Sequence, residues 1–587
     1  MKKVNYIFSY DRRLWISNLR FKYIANPHIY HFLEKENYLK SNESYDVNDF
    51  RRADKKDLIN DSKYIDKKYY KYLEIIYPRL NQIHNSNFDK DFWKKSLSMG
   101  FIRYVTVAYN TFKILEDSFD FKKHQCNILS EKSFCTPFDF EEHRSRFQNS
   151  DLGQEQLFSI YINSFYKNND FKKLILNYKV DRKKFFDLIK QKIKPIYNFL
   201  KFRTRSKKIK TGILGSFFKS YHIKNLIKNS SKKISLIDLE ISNKEKKINL
   251  NFRKIISSPR DDFDRFDLFF FETLNYCMPK IFVENFDDTL TVLKNKLLNY
   301  SSLKQIISEN WISSTKNSIF LALAQKKNII HINNEHNGFF HPFVGSYNNH
   351  IIEMCDIFTT VGWKSNSNKI IDKASLYYSK EYCNHEEKTG IVFFSGPALV
   401  FKPHMSSGYS YCEESVMKNI NFNINFFKSL KNSTLSKIIY RPYPNQKLID
   451  LMFYSKEFYY EKNNIQLYTN SVKIDAEKQI RNAKLVIHDY ISTSYIESLL
   501  LNIPTVFFFN KQSLFLIDEH KDFFNPLIDC KICHTDPKHC ADFINQIFSD
   551  PSDWWNSEIV QNAKNEFLKR NINKPEKMFN YLINISK

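Results

Sequence analysis

Residues 484–510, KLVIHDYISTSYIESLLLNIPTVFFFN, carry the pattern that decides the fold. Residues 485–487 are a short apolar run of the kind that a fully buried parallel strand shows. Three hydroxyl residues at 492–494 supply capping chemistry for the helix that follows. Residues 502–504, Asn-Ile-Pro, end that helix, and residues 505–509 are a β-branched and aromatic strand. The order strand, helix, strand predicts one right-handed βαβ crossover.

The turn of this crossover is a candidate nucleotide site. In open α/β sheets, ligands lie beyond the carboxyl ends of the strands, and phosphates favour helix N-termini. We therefore expect Ser492, Thr493 and Ser494 to bind phosphate. Asp489 lies beside them, and Glu497, one turn into the helix, faces the ribose. The same residues also fit a purely structural crossover with an ordinary helix cap, because the glycine fingerprint of dinucleotide-binding folds is absent.

From about residue 345 the chain alternates regularly between strand and helix patterns. The predicted strands span 357–361, 391–394, 437–440, 465–468, 485–487, 505–509 and 527–532. This alternation predicts a doubly wound, Rossmann-like domain over residues 345–555. The amphipathic residues 556–587 predict a C-terminal helix that crosses back onto the first domain.

Residues 1–344 are predicted to form a helix-rich N-terminal domain. Apolar residues recur at helical spacing in two places, at Tyr69, Leu73, Ile76 and Leu80, and at Phe101, Val105, Tyr109 and Phe112. In residues 1–120 a strand pattern is clear only over 4–8. Residues 201–259 differ in composition, with 16 Lys and Arg residues against three acidic ones. They predict either a solvated basic insertion or a surface that contacts anionic lipid head groups.

The whole chain is long and strongly basic. Its 587 residues indicate at least two domains, and a hydrophobic content of 42% excludes a disordered protein. The net charge of +26 indicates a polyanionic partner, although a bias of the whole composition toward lysine contributes to it. The candidates are nucleic acid, an anionic membrane surface and phosphorylated substrates. No nucleic-acid recognition motif is present, so nucleic acid is not the expected partner.

Location is predicted from the cysteines and from the start of the chain. Nine cysteines without regular spacing are typical of a reducing cytoplasm. The start, MKKVNYIFSYDRRLW, is interrupted by charges and does not read as a signal peptide. No window approaches the roughly 18 apolar residues that a membrane span needs. We expect a cytoplasmic protein whose contact with a membrane, if it has one, is peripheral.

One string in the sequence resembles a haem or zinc site, and it consists of Cys530, Cys533, His534, His539 and Cys540. Its context argues against both. Cys530 and Cys533 fall on the last predicted strand or directly after it, where alternate side chains point to opposite faces. Asp536 and Pro537 read as the cap and first residue of a helix. We therefore predict no metal site.

Three further polar or glycine-containing segments follow predicted strands. Glu335-His336-Asn337-Gly338 lies at the predicted domain junction, where His336 could act as a general base and Gly338 could admit a ligand to the backbone. Arg441, next to proline, offers a fork-shaped phosphate ligand, or else a surface ion pair. Gly396 could admit a nucleotide, and it is equally suited to a turn. No P-loop, dinucleotide fingerprint or kinase signature is present.

Together these segments resemble a bacterial family of transferases found with surface-polysaccharide (O-antigen-type) biosynthesis proteins. The resemblance is carried by YYKYLEIIYPRLNQIHN (69–85), DFWKKSLSMGFIRYV (91–105), KKNIIHINNEHNGFF (326–340), AKLVIHDYISTSYIESLLLNIPTVFF (483–508) and DPSDWWNSEIVQNAKNEF (550–567). The family's strand followed by Gln-His-Gly-Gly-Gly reads Glu335-His336-Asn337-Gly338-Phe339 here. The family is distantly similar to capsule-synthesis and CDP-glycerol glycerophosphotransferase proteins.

The resemblance implies a GT-B-like α/β fold, with two Rossmann-like domains facing a cleft. It also implies a metal-independent glycosyltransferase without a cofactor, which uses a nucleotide-activated and preferably cytidine-linked donor and a glycan or lipid-linked glycan acceptor. A polyol-phosphate transferase using a CDP-polyol and a non-enzymatic nucleic-acid-binding protein remain alternatives. The expected catalytic residues are His336 and Glu335. The expected nucleotide or phosphate ligands are Arg441, Asp489, Ser492, Thr493, Ser494, Glu497, Gly338 and Gly396.

Overall fold

The computed structural model describes most of the chain and shows a mixed α/β protein built on parallel sheets. The described residues are 3–25, 27–48, 55–148, 150–166, 171–176, 208–216, 218–239, 244–309, 314–335, 342–344, 348–377, 390–396, 398, 413–443, 455–469, 475–491 and 493–587. Ser492, His336 and Gly338 lie outside them. No helix among these residues is long and apolar enough to cross a membrane.

The N-terminal residues form a small parallel sheet that the sequence only partly indicated. Its strands are β1 (Val4–Ile7), β2 (Phe21–Ile24), β3 (Ser44–Val47) and β4 (His124–Gln125), in the order β3-β2-β1-β4. Only the pattern over β1 was visible. Both strands are only four residues long, and in β2 the charged Lys22 is buried whereas Phe21 is exposed, which is the opposite of the burial that their polarity predicts. A separate pair of strands, β5 (Asn127–Leu129) and β6 (Lys172–Leu174), is also parallel.

The prediction of a helix-rich N-terminal half is confirmed. Both sets of apolar residues at helical spacing lie buried on the two long helices Lys55–Ile83 and Lys90–Ser118. These helices share one core with the helices around them. The other helices of this half are Pro27–Lys35, Phe140–His143, Asp151–Phe165, Ser220–Asn229, Leu250–Ser257, Arg265–Cys277, Lys280–Val283, Phe286–Leu298 and Thr315–Gln325, with a π-helical turn at Arg144–Gln148.

A six-stranded parallel sheet occupies the middle of the chain. Its strands are β7 (Thr211–Leu214), β8 (Ile234–Leu236), β9 (Gln305–Ser308), β10 (Ile330–Asn334), β11 (Ile357–Thr360) and β12 (Ile370–Asp372). The sheet order is β12-β11-β10-β9-β7-β8, the doubly wound order in which the second strand lies outside the first.

This sheet corrects two assignments made from the sequence. Residues 201–259 were predicted to be a basic insertion, but their described part supplies β7 and β8, whose apolar residues Ile213 and Ile234 are buried. Residues 357–361 were assigned to the C-terminal domain from 345 onward. In the structure β11 pairs with β10, so this segment completes the middle sheet instead. The local sequence pattern predicted the strand β11 correctly, but it did not indicate which of the two sheets β11 would join.

The C-terminal sheet also has six parallel strands. They are β13 (Ile391–Phe394), β14 (Ile438–Arg441), β15 (Tyr468–Thr469), β16 (Leu485–His488), β17 (Thr505–Phe508) and β18 (Cys533–His534). Their order, β15-β14-β13-β16-β17-β18, is the Rossmann order 3-2-1-4-5-6, and its switch point lies between β13 and β16. The strand predicted at 527–532 is wrong, because the helix Asn525–Asp529 comes first and the strand starts at Cys533.

The helices after residue 344 cover these two sheets. They are Asn348–Met354, Glu413–Ser429, Asn432–Leu435, Lys456–Lys462, Ala476–Asn482, Thr493–Leu500, Asn525–Asp529, Pro537–Ile547, Ser552–Trp555, Glu558–Asn571 and Pro575–Ile585. The predicted cap at Asp536 is confirmed, with Pro537 as the first helical residue. The helix Thr493–Leu500 begins directly after the carboxyl end of β16, as the βαβ pattern predicted.

The last residues form two helices rather than the single one predicted over 556–587. Pro575 has no N–H to continue the helix Glu558–Asn571, and it starts a second helix instead. In the linker, the Asn573 N–H donates to the Val361 carbonyl at 2.9 Å. Met578 and Leu582 of the last helix pack beside Ile213 of the middle sheet. The end of the chain thus returns from the C-terminal sheet to the middle one.

Candidate functional site

The carboxyl ends of the two six-stranded sheets face each other across a cleft. Phe343 pairs with Leu516 in an isolated bridge between the two sides. Val361, at the end of β11, packs in one apolar cluster with Tyr495 of the helix Thr493–Leu500. The βαβ crossover of residues 484–510, predicted to bind the nucleotide, therefore forms one wall of this cleft. The ends of β7, β10 and β11 form the other wall.

Asp489 lies at the switch point of the C-terminal sheet and is fully buried. Its carboxylate accepts hydrogen bonds from Lys456 Nζ at 2.6 Å and Asn423 Nδ2 at 2.6 Å. It also accepts from the Gly396 N–H at 2.5 Å and from Ser395 Oγ at 3.2 Å. Four donors around one carboxylate compensate its burial. Asp489 therefore holds the loop after β13 in place from inside the protein. The direct nucleotide contact predicted for Asp489 does not fit this buried position.

Gly396 is required for packing. A Cβ atom there would lie 2.5 Å from Cγ of Tyr490, so only glycine lets that ring approach the loop. The space that a nucleotide was predicted to use at Gly396 is thus filled by Tyr490. Arg441, which is itself buried, and the first turn of the helix Thr493–Leu500 lie at the same ends of the strands.

The last residues of three neighbouring strands stack on one another. Phe394 lies in register with both Arg441 and His488. The Arg441 guanidinium lies 5.5 Å from the centre of the Phe394 ring, and the His488 ring stacks on the same phenyl group at 5.1 Å. Arg441 also donates to Gln479 Oε1. Burial lowers the pKa of Arg441, but a guanidinium remains charged in proteins. A cation is thus held in a fixed orientation at the strand ends.

His488 determines whether the hydroxyl group of Ser494 acts as a hydrogen-bond donor or as an acceptor toward a ligand. Burial lowers the pKa of His488 to about 3, so the ring is neutral. Ser498 Oγ donates to the Ser494 carbonyl, so it accepts the His488 Nε2–H at 3.1 Å. His488 Nδ1 is then an acceptor, and Ser494 Oγ donates to it at 3.3 Å. The hydroxyl proton of Ser494 is thus used by His488, and what Ser494 Oγ can still do is accept, which suits a ribose hydroxyl better than the phosphate predicted there.

Thr493 is the first residue of this helix, and its side chain is half-buried. Its hydroxyl makes no hydrogen bond among the residues that the structure describes. Helix N-termini attract anions through their unpaired N–H groups and the helix dipole. Of the described hydroxyl residues in the predicted phosphate turn, Thr493 is the one whose proton is available to a phosphate.

Glu497 is held by a cation from the opposite wall. Lys219, at the start of the helix after β7, lies 3.4 Å from Glu497 and 2.8 Å from Glu477. Its ammonium group also lies 5.1 Å from the centre of the Tyr377 ring. Burial lowers the pKa of Lys219, but the two carboxylates outweigh this effect and raise it above its usual value. The pair joins the two sheets across the cleft.

The protonation of Glu497 is poised near neutrality. Burial raises its pKa to about 7, Lys219 opposes that rise, and Glu477 adds to it. A carboxylate that is half ionised at neutral pH gains charge when hydroxyl donors reach it. The predicted position of Glu497 inside the cleft is thus compatible with a ribose contact, with Lys219 as an additional neighbour.

Glu335 anchors a turn on the opposite wall. Its Oε2 atom accepts the Val361 N–H at 3.1 Å and the Trp363 Nε1–H at 2.7 Å, and the residue is almost completely buried. Such a carboxylate holds the end of β11 in place, so the catalytic contact predicted for Glu335 does not match its position. Gly362 in this turn has a φ of +154° and lets Ile572 pass close to the backbone.

Three parts of the site could not be found from sequence patterns. Lys219, Lys456 and Asn423 lie on separate segments that only the fold brings to the cleft. For Lys219 one signal existed, because it follows the strand Thr211–Leu214 and Gly215, which has a φ of +60°, and precedes a helix. A strand, a left-handed glycine and a helix start mark the edge of a sheet where ligands bind.

No described group of three or more His, Cys, Asp or Glu residues could hold a metal ion. In the haem-like string, Cys533 and Cys540 are buried, and burial raises the pKa of both thiols. The His534 Nε2–H donates to the Lys531 carbonyl of its own turn at 2.9 Å. The independence from a metal ion stays a prediction.

Comparisons with known proteins give one family match and several structural alignments of low score. A family model described as LIC12162 family transferase matches residues 4–584. No match was found among curated proteins. Solved structures that align include the glycosyltransferase SnogD from Streptomyces nogalater, with 9% identity and a TM-score of 0.33 over 64% of this chain and 100% of that one. The UDP-GlcNAc 2-epimerase from Neisseria meningitidis has 10% identity and a TM-score of 0.31 over 61% and 98% of the chains.

The wall teichoic acid polymerase TagF also aligns, with 13% identity and a TM-score of 0.30 over 70% of this chain and 98% of that one. Values this low carry no function from those proteins to this chain. The chain itself has two doubly wound parallel sheets that face a cleft, which is a GT-B-like arrangement.

Proposed function

Because the chain belongs to the LIC12162 family of transferases, we propose that it moves a sugar or ulosonic acid from a cytidine-activated donor to a bacterial surface polysaccharide or lipopolysaccharide. The observation that carries the proposal is the contact of Lys219 with Glu497 beside the start of the helix Thr493–Leu500. This contact places a cation, a carboxylate and a helix N-terminus close together, where the carboxyl edges of the middle and C-terminal sheets meet. A nucleotide offers complementary groups, namely phosphate and ribose hydroxyls.

The donor would bind mainly to the C-terminal wall. Thr493 and the backbone N–H groups of the first helical turn would bind phosphate, with Arg441 adding a fixed positive charge. Glu497 and the lone pairs of Ser494 would accept hydrogen bonds from ribose hydroxyls. Asp489 would act indirectly by fixing the loop after β13. His488 would act indirectly by fixing the orientation of Ser494.

Lys219 would stabilise the leaving nucleotide. Departure of the sugar leaves negative charge on the phosphate, and a preoriented cation in a site shielded from water stabilises that charge. When ribose hydroxyls bind to Glu497, the flexible lysine stem allows the ammonium group to turn toward the phosphate. The middle sheet would thus take part in the reaction through Lys219. In the absence of a donor, the same residue pairs with Glu497 across the cleft.

Activation of the acceptor hydroxyl is assigned to His336, which follows Glu335 and the end of β10. A histidine can remove the proton as a general base. Glu335 would act by holding the neighbouring turn at Val361 and Trp363. The proposal places charge stabilisation on Lys219 and Arg441 and requires no metal ion.

Binding of nucleotides tests the proposal directly. CMP and CDP should raise the melting temperature more than UDP and GDP, because a ligand at a hundredfold its Kd stabilises the native state by about 2.7 kcal/mol. Glu497→Ala should abolish the shift, which is read relative to the variant's own free protein because the loss of the buried partner of Lys219 also lowers the melting temperature. Glu519→Ala, at an exposed carboxylate, is the matched control. Absence of any shift with all four nucleotides would overturn the proposal.

The product separates sugar transfer from polyol-phosphate transfer. A CMP-linked ulosonic acid leaves no phosphorus in the acceptor, whereas a CDP-polyol adds one phosphate per transfer, and both release CMP. Phosphorus analysis of the purified glycan therefore identifies the donor class.

Peripheral contact with an anionic membrane belongs to the same proposal, since the helix Ser220–Asn229 exposes Lys224 and Lys228. Sedimentation with phosphatidylserine vesicles that weakens at high salt would support that contact.

A further inference from the structure

A cavity of about 630 Å³ lies at the amino ends of the N-terminal sheet. The first residues of all four strands line it, namely Val4, Phe21, Ser44 and His124. Residues 116–120, at the end of the helix Lys90–Ser118, form its wall. The catalytic cleft is built from the carboxyl ends of the other two sheets, so this cavity is a separate site. Its volume falls within the range of small-molecule pockets.

The floor of the cavity is one face of β2 and β3. Phe21 and Tyr23 alternate with Lys22 along β2, and they lie in register with Ser44 and Asp46 of β3. The Phe21 side chain is 54% exposed, which leaves one aromatic surface open in the cavity. Single exposed aromatic residues are common, so Phe21 alone does not identify a binding site.

His124 provides the second observation. The residue is only 8% exposed, and its ring stacks on Tyr23 at 5.0 Å. Its Nδ1 atom accepts the Asp120 N–H at 3.0 Å, which places the proton of the neutral ring on Nε2. Burial lowers the pKa of His124, so the ring is neutral. The Nε2–H has no acceptor among the described residues, and His124 lines the cavity, so this donor is open to water or to a ligand there.

The charge of the lining limits what this donor can bind. Asp46, Glu116, Asp117 and Asp120 contribute carboxylates, against two lysines. Most of these charges already have an ionic partner: Lys22 pairs with Glu43 at 2.6 Å, and Lys123 with Asp120 at 3.3 Å. Glu116 pairs with Arg265 at 2.8 Å, and Asp117 with Lys113 at 3.9 Å. The lining is therefore close to neutral with a small negative excess at Asp46, which disfavours phosphates and carboxylates. An uncharged ligand that both donates and accepts hydrogen bonds fits this lining best.

We propose that the cavity binds an uncharged sugar ring of a glycan. The apolar C–H face of the ring would cover Phe21, its hydroxyl groups would donate to Asp46 and Asp117, and one oxygen would accept the His124 Nε2–H. The choice of a glycan rests on the proposed function, because the acceptor of that reaction is a chain of sugars. The cavity would then hold a part of the acceptor remote from the cleft, so that the growing end stays near the enzyme.

Saturation-transfer NMR with methyl glucoside, N-acetylglucosamine, glucosamine and glucose 6-phosphate tests this assignment. The two uncharged sugars should receive saturation from the wild-type protein, and the phosphorylated sugar should not. Phe21→Ala and His124→Phe should each reduce the signal at least fivefold, whereas Tyr468→Ala, at an exposed aromatic residue of the C-terminal sheet, should not change it. Asp46→Asn provides a second variant if Phe21→Ala fails to fold.

Three results would overturn the assignment: no signal with the uncharged sugars, equal signals with the phosphorylated sugar, or signals that persist in Phe21→Ala and His124→Phe. A signal from glucosamine alone would identify a cation site and also overturn it. The shift of the melting temperature with CMP should be the same in wild type and in these variants. Loss of sugar binding with the CMP shift intact therefore separates this cavity from the proposed donor site.

Discussion

The carboxyl edges of the two six-stranded sheets face the same cleft but differ in chemistry. At the C-terminal edge, one buried carboxylate, Asp489, takes up four donors, and Arg441 and the start of a helix lie beside it. At the middle edge, Glu335 is engaged with Val361 and Trp363, and Lys219 reaches across to Glu497. Two sheets of similar topology therefore differ in the groups that they bring to the cleft, and the proposed function assigns donor binding to one edge and charge stabilisation through Lys219 to the other.

The largest expected effect comes from breaking the buried pair at the C-terminal edge. Lys456→Met leaves Asp489 without its cation, and removal of one partner of a buried pair costs about 3–5 kcal/mol. Hydrogen exchange in β13 and β16 should accelerate by at least about a hundredfold, since 1.4 kcal/mol corresponds to a factor of ten. Lys462→Met, which breaks an exposed pair with Glu34, is the control and should change exchange little.

A second variant distinguishes the buried charge from simple loss of packing. Replacing both members, with Lys456→Met and Asp489→Leu, removes the uncompensated carboxylate and should recover part of the protection. If the double variant is as destabilised as the sum of both single ones, the pair does not act as a unit, and the contrast between the two edges is weaker than the geometry indicates.

Lys219 tests whether the middle edge takes part in the reaction. Lys219→Met should lower turnover by about 10²–10³-fold, the usual result of removing one group that stabilises developing charge. The measurement is release of nucleotide from the donor that the thermal-shift panel identifies. KM for the donor should change less than kcat, because the charge appears in the transition state.

Lys224→Met, at an exposed lysine of the same helix, should leave turnover unchanged. Lys219→Arg should retain part of it, because the charge is kept. Equal activity of Lys219→Met and Lys224→Met would show that Lys219 only joins the two walls, and the middle edge would then be purely structural.

Arg441 tests the phosphate role of the C-terminal edge. Arg441→Gln should weaken nucleotide binding by about 1.5–3 kcal/mol, the range for a hydrogen bond to a charged group. Isothermal titration with CMP measures this loss. Arg570→Gln, at an exposed arginine near the end of the chain, serves as the control. If Arg441→Gln binds CMP as tightly as wild type, Arg441 serves only to stack on Phe394.

The same contrast explains what the sequence could predict. The apolar runs of β13, β16 and β17 and the hydroxyl-rich turn after β16 predicted the Rossmann-like domain, because buried parallel strands and helix starts depend on local composition. The membership of β11 in the middle sheet depended on pairing with β10, and no local pattern encodes such a pairing. The strands β2 and β3 were not predicted because each is four residues long and because β2 buries Lys22 and exposes Phe21.

The site shows the same limit. Thr493, Glu497 and Arg441 follow or begin predicted elements, so their positions at the cleft could be expected from topology. The roles of Asp489 and Gly396 could not, because they depend on Lys456, Asn423 and Tyr490. The sequence reports where a residue lies on its strand, and the partners from other segments decide whether it faces the ligand or the core.

The smallest expected effect concerns pH and connects the two edges. Burial raises the pKa of Glu497 to about 7. In the proposed donor site, ribose hydroxyls would bind to its ionised form, so protonation would compete with the nucleotide. Affinity for CMP should therefore rise by about tenfold between pH 6 and pH 8, or about 1.4 kcal/mol. Titrations of wild type and Glu497→Gln at both values measure it, because the variant keeps any contribution from the phosphate itself.

Lys219 sets the midpoint of that pH dependence. Lys219 lowers the pKa of Glu497, whereas Glu477 and Asp475 raise it. In Lys219→Met the carboxyl group loses its cation, so its pKa rises and the gain in affinity moves to higher pH. In Glu477→Gln the opposite shift is expected, since one neighbouring negative charge is removed. Identical pH profiles in wild type and both variants would mean that Glu497 does not contact the ribose, and the nucleotide would then be held by the C-terminal edge without the contact across the cleft.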